Sequence, residues 1–149
     1  MKLSKLLLLS LCVFIISCGD DPLEEVIVGN WQVEAVRIEN CAISQQNLPW
    51  TNTTPGSCLS NDSIEFSGCV VSVRFNMDGT SEISFILNGD SQVERGFYSV
   101  IGEEVFICLN ENDDLSNCET ARIEDDQLIY SVSALRGSEC PEQYRMSKS

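Results

Sequence analysis

No histidine occurs among the 149 residues, and 9 Lys+Arg stand against 23 Asp+Glu, for a formal charge of −14. The missing imidazole removes the usual general base near neutral pH and the commonest metal ligand. The shortage of basic side chains argues against nucleic acid as a partner, because affinity for it comes largely from Lys and Arg neutralising phosphates. There is no close Cys-x-x-Cys pair to suggest zinc. No nucleophile has a base beside it, and the carboxylate pairs Glu103-Glu104 and Asp125-Asp126 fall at turn positions, where they face solvent. These absences lead us to expect neither enzymatic activity nor a cofactor. Long 3.6-residue periodicity is also absent beyond the N-terminus, apart from a short helical candidate near Asn61 to Phe66. What the chain does have is 43% hydrophobic residues, too many for a disordered segment and enough to build the core of one domain.

The N-terminus reads as a processing segment. Lys2 and Lys5 precede an apolar run from Leu6 to Ile16 that is too short to span a bilayer. The run ends in Ile15-Ile16-Ser17-Cys18, which resembles the lipobox of bacterial lipoproteins. An ordinary signal peptide cut near Ser17 is the alternative. The resemblance implies that residues 1–17 are removed and that Cys18 is acylated as the first mature residue. Several acyl chains on one cysteine would hold the protein stably at a membrane. The mature chain would have 132 residues and, with 7 basic against 23 acidic side chains, a charge of −16. Residues 18–25 then form an acylated, acidic tether ahead of a domain spanning 26–149. The acidic pair Asp20-Asp21 resembles the surface-export signal of lipoproteins in one large Gram-negative phylum, although a plain polar linker explains it equally. Gly19 differs from the aspartate that marks inner-membrane retention in enterobacterial lipoproteins, so the expected location is the outer membrane, on its periplasmic or cell-surface side.

Setting aside Cys12 in the signal and Cys18 at the lipid leaves Cys41, Cys58, Cys69, Cys108, Cys118 and Cys140. An even number of cysteines in an exported chain predicts disulfides, whose connectivity depends on the fold.

Turn signals recur at Asp78-Gly79, Asn88-Gly89, Gly102, Asp113-Asp114, Asp125-Asp126 and Gly137, in the rhythm of antiparallel hairpins. Between them apolar residues alternate with period two: Val71, Val73, Phe75 and Met77; Ile83, Phe85 and Leu87; Val105, Ile107 and Leu109; Leu128, Tyr130 and Val132. Near Phe97-Tyr98 the inward residue is ambiguous. In the first segment Trp31, Val33 and Ala35 share one phase while Val36 and Ile38 take the other, a slip that predicts a β-bulge. The pattern predicts eight strands, near 30–39, 70–77, 80–87, 92–100, 104–109, 118–124, 127–133 and 142–147. Mostly tight connections between them favour an all-β, up-and-down antiparallel barrel, with a two-sheet β-sandwich as the runner-up.

Gly29-Asn30-Trp31 resembles the Gly-x-Trp opening of lipocalins. Phe75-Asn76-Met77-Asp78-Gly79-Thr80 resembles a hairpin of bacterial lipocalin-like lipoproteins, and Tyr144 with Lys148 resembles their closing strand. The resemblance implies that Trp31 plugs the closed end of a barrel. If the first strand runs from that base, all six cysteines fall at the opposite end, beside the three longest connections. The topology then favours Cys108–Cys118 across one hairpin loop, Cys41–Cys140 where the first and last strands meet, and Cys58–Cys69 within the long first loop.

Three functional readings follow. The first is a barrel that binds a small hydrophobic ligand at its loop end, with Val73, Phe75, Phe85, Ile107, Leu128 and Tyr130 lining it. Trp50, in the long loop from Asn40 to Gly68, is either a contact at the mouth or packs that loop onto the rim. The second is a non-enzymatic structural or protein-interaction module on the cell surface, with a filled barrel. Asn110 to Asp114 is a candidate Ca²⁺ loop for such a module, but it lacks EF-hand spacing and reads better as a solvated acidic turn. The third, an enzyme, has least in its favour. Asp62-Ser63-Ile64 also resembles the O-glycosylation motif of the same phylum.

Overall fold

Period-two alternation becomes strand almost to the residue in the computed structural model, which describes residues 22–39, 48–54, 68–133 and 140–149. The strands are β1 (Gly29–Ile38), β2 (Leu48–Asn52), β3 (Gly68–Phe75), β4 (Thr80–Leu87), β5 (Asp90–Ile101), β6 (Glu104–Cys108), β7 (Glu119–Glu124), β8 (Gln127–Val132) and β9 (Glu142–Lys148). All the eight expected strands are present, and β2 is an addition. The signal segment with Cys18, the cysteines Cys41 and Cys58, the helical candidate near Asn61 and the Asp62-Ser63-Ile64 motif lie outside the described residues.

Neighbouring strands pair antiparallel in chain order from β3 to β9. β1 then closes the ring. On one side it pairs with β9 from Trp31↔Lys148 to Ile38↔Glu142, and on the other with β3 from Gly29↔Phe75 to Gln32↔Ser72. A strand paired on both flanks has no free edge, so the sheet is a closed eight-stranded barrel and not two stacked layers. This is the architecture that the resemblance implies.

Beyond Gln32 the partner changes. β2 replaces β3 beside β1, through Ala35↔Asn52, Val36↔Thr51 and Ile38↔Leu48. The sequence hides this strand because Leu48-Pro49-Trp50-Thr51-Asn52 does not alternate and contains a proline, which a sheet tolerates only where no ladder donor is needed. The expected bulge is present, with the register against β9 slipping between Val33 and Ala35. Glu34 is therefore the extra residue, and its carbonyl accepts the Thr53 amide at 2.9 Å.

Two apolar periods run past the ends of their strands. Met77 lies in the turn and is 91% exposed, and Leu109, one residue beyond β6, is 56% exposed. A second register slip, between Val70 and Ser72, turns Val70 inward in place of Val71. Tyr98 and not Phe97 points in. Its hydroxyl donates to the Asn76 carbonyl at 2.8 Å, and its ring meets Phe75 edge-on at 5.0 Å. The hairpin turns follow from their residues: Asn88-Gly89 and Asp125-Asp126 both take the paired positive φ of a two-residue turn.

The base is closed by residues 23–27, which include the end of the stretch expected to be tether. Leu23–Ile27 form one helical turn, α1, which buries Ile27 completely and packs Leu23 against the core. Trp31 is 2% exposed, and its indole N–H donates to the Ile27 carbonyl at 2.8 Å. The Lys148 ammonium sits 5.6 Å from the Trp31 ring centroid and donates to the Val26 carbonyl at 2.9 Å. Gly29 has φ +137°, and a Cβ there would come within 2.7 Å of Lys148 Cε. The glycine of the Gly-x-Trp pair thus has a backbone cause, since φ +137° is a conformation that side-chain-bearing residues rarely adopt, and the lysine over the tryptophan lies close beside it.

At the other end Cys108 and Cys118 form a disulfide, joining the end of β6 to the start of β7 as expected. Cys69 and Cys140 are also disulfide-bonded. The partners expected for them, Cys58 and Cys41, lie outside the described residues. By the strand directions, all four described cysteines are at the end opposite Trp31.

Truncating Trp31 removes a fully packed aromatic and a buried hydrogen bond. We expect Trp31→Ala to lose roughly 3–5 kcal/mol of stability, measured by urea unfolding of the domain, and Trp31→Phe to lose less.

Candidate functional site

Unequal strand lengths open the barrel wall. β5 runs for 12 residues and β6 for 5. β5 follows β4 from Thr80↔Phe97 to Leu87↔Asp90, but it meets β6 only from Phe97↔Cys108 to Ile101↔Glu104. Above Phe97 the wall therefore parts between β5 on one side and Cys108-Leu109 on the other. Gly96 sits at the lower corner of this gap. A Cβ there would fall 2.3 Å from the Cys108 carbonyl oxygen, so only glycine allows the two strands to approach as they do.

A cavity of about 160 Å³ lies behind the gap, in the cysteine-bearing half of the barrel. Its apolar wall is made by Val70, Ile83, Phe85, Ile107, Tyr130 and Val132, and Glu94, Arg95, Asn117 and Glu119 supply polar groups. Of the residues expected to line a ligand site, Phe85, Ile107 and Tyr130 are here. Val73, Phe75 and Leu128 are on the inward face but nearer the base, 0%, 1% and 0% exposed, where they fill the interior with Trp31 and Met146.

Trp50 is not among the cavity's lining residues. Thr51 of β2 is turned in and buried, so its neighbour Trp50 faces outward. There its ring lies 4.8 Å from the Arg37 guanidinium and 5.3 Å from that of Arg145. This is the rim-packing arrangement, with two cation–π contacts holding β2 against the outside of the wall.

Sequence reasoning passed over the acidic groups that face inward. Glu119 opens β7 in phase with Ala121, which is 2% exposed, so the alternation Glu119, Ala121, Ile123 carried the signal. Glu94 pairs with inward-facing Ile83 and shares its face. Glu142 is buried and shares a face with Tyr144 and Met146. The Tyr144 hydroxyl donates to the Glu142 carboxylate. Burial, followed by the nearby Glu142 charge, holds the Tyr144 phenol well above its ordinary range.

Glu119 is the group most out of balance. Burial alone pushes its carboxyl up to about 7, and it makes no hydrogen bond or ion pair with any described residue. An acid desolvated without a compensating cation prefers its neutral form. Ser81, paired with Gly96 across β4 and β5, is 1% exposed and its hydroxyl has no partner among the described residues.

The acidic 110–114 turn has a different character. Asp113 accepts from the Asn110 backbone amide at 2.9 Å and from its side-chain amide at 3.1 and 3.2 Å. Asp114 accepts from the Ser116 amide at 3.0 Å, which keeps its carboxyl below the usual range. The loop thus uses its own amides to engage these carboxylates. Among the described residues no group of three His, Cys, Asp or Glu side chains could hold a metal ion. No family model, curated protein or solved structure matches the chain, so its function has to be read from the barrel and its cavity.

The displaced Glu119 proton makes stability pH-dependent. The folded-state value lies above the ordinary 4.5, so protonation favours folding. That contribution is complete below about pH 4.5 and is lost as pH rises through about 7, at a cost of about 3 kcal/mol by linkage. Glu119→Gln should match the parent at pH 4 and exceed it at pH 8. Urea unfolding at both pH values, compared between the two proteins, checks this.

Proposed function

We propose that this chain is an exported lipoprotein, anchored through acyl chains on Cys18, whose lipocalin-like barrel binds one small apolar ligand at the end away from the membrane. The supporting observation is the cavity itself: apolar walls at the loop end, a lateral opening where β5 outruns β6, and a filled base. Its volume, about 160 Å³, sets the ligand class. An apolar cavity of ~150 Å³ accommodates a benzene-sized molecule, so the ligand is a compact one and not a long acyl chain. The tether leaves from the Trp31 end, which would direct the opening outward from an outer-membrane surface.

A second reading is a non-enzymatic interaction module on the cell surface. It is favoured by Val93 and Phe97 on β5 and Leu109 just past β6, exposed apolar side chains beside the opening. Both readings dispense with catalysis, in keeping with the absence of histidine.

Intact-mass analysis and native mass spectrometry of the protein isolated from its host membranes test the proposal. The expected chain begins at Cys18, carries acyl groups and retains a small bound molecule, and Cys18→Ala moves it to the soluble fraction. A chain that keeps residues 1–17, or a Cys18→Ala variant that stays at the membrane, would contradict the anchor. An empty barrel with a co-isolated protein would favour the second reading.

A further inference from the structure

We propose that the ligand is a small organic cation, an aryl or short branched alkyl body bearing a protonated amine, with the body held between Phe85, Ile107 and Tyr130 and the amine paired with the Glu119 carboxylate. This rests on the ligand-binding reading above and names the chemistry that the same cavity selects.

Glu119 places a desolvated carboxyl against a wall that is apolar for the most part. Glu119 belongs to the lining, faces inward from the first residue of β7 and makes no hydrogen bond or ion pair with the described residues. Among the described residues, and apart from Arg95, the groups around it are acidic or neutral. β5 contributes Glu94, β9 contributes Glu142 and Tyr144, β8 contributes Tyr130, and β6 contributes Ile107. Arg95 also lies at the opening, but its side chain is mostly exposed and is paired with Glu82 outside the barrel at 2.9 Å. An anionic ligand would meet the Glu119 carboxylate at close range. A neutral apolar ligand would bury Glu119 further and gain nothing from it.

A cation reverses the penalty. Empty, the site holds a carboxyl that burial keeps partly protonated near neutral pH. An ammonium group restores the ionised form and makes charge-assisted hydrogen bonds, which are about twice as strong as neutral ones. A bare metal ion fits less well, because no group of three ligating side chains converges among the described residues and most of the wall is hydrocarbon. The overall charge of −14 would draw cations toward the opening.

The test uses two probes of nearly equal shape, 2-phenylethylamine and 2-phenylethanol, titrated at pH 8 and low salt into the folded protein and into Glu119→Gln. We expect the amine to bind the parent at least tenfold more tightly than the alcohol, and Glu119→Gln to lose that preference while still binding the alcohol. Retained alcohol binding shows that the variant cavity is intact. Equal binding of both probes to the parent, or an amine preference that survives Glu119→Gln, overturns the cation assignment and leaves the apolar-ligand reading standing. Binding of neither probe to the parent removes both.

Discussion

The structure depends on β1 finding partners along both edges. Its ladder to β9 runs the length of the strand, and its ladder to β3 covers the lower half, so that a row of hairpins becomes a tube with an inside and an outside. Without that closure the inward phase of each strand would face solvent, and both end strands would offer unpaired backbone to other chains. The Glu34 bulge is part of the same constraint. It shifts the phase of β1 midway, so that Trp31 and Val33 below and Val36 above all reach the interior while the strand bends around it.

Closure is complete at the base and looser at the loop end, and the division of the interior follows. At the base, Trp31, Phe75, Val73, Leu128 and Met146 fill the tube beneath α1, which contributes Ile27 as the last piece of cover. At the loop end β2 takes over from β3, and β5 continues without β6. The Cys108–Cys118 disulfide and the disulfide-bonded Cys69 and Cys140 lie in this half. The Cys108–Cys118 bridge fixes β6 to β7 beside Leu109, Asn117 and Glu119, three residues on the wall of the cavity. A cross-link of this kind acts mainly on the unfolded chain, so it stabilises the open end without filling it.

Most of the architecture was legible because its causes are local. Alternation marks a strand, and Asn-Gly or Asp-Asp marks where it turns back. The phase slip at Ala35-Val36 marked the bulge within a residue or two, and strand order alone brought Cys108 to Cys118. The harder features depend on position along the tube. Period two tells which face a side chain takes but not its height, so Val73, Phe75 and Leu128 shared the inward face with Phe85, Ile107 and Tyr130 yet belong to the packed base. Met77 and Leu109 continue a period that the backbone has already left. β2 was invisible because its pairing is imposed by β1 and not by its own pattern. Glu119 was legible in phase but went unread, since a carboxylate at a strand end usually faces water.

Interstrand nuclear Overhauser effects in the isotope-labelled domain test the closed tube most directly. A closed tube requires backbone contacts from one strand to two others at once: Trp31 and Gln32 to Val73 and Ser72 on one side, and Val33 and Val36 to Met146 and Tyr144 on the other. Finding both sets, together with the successive contacts that run from β3 through β9, establishes the closure on which the cavity depends. Contacts to β9 without those to β3, or the reverse, would mean an open or layered sheet and would contradict it.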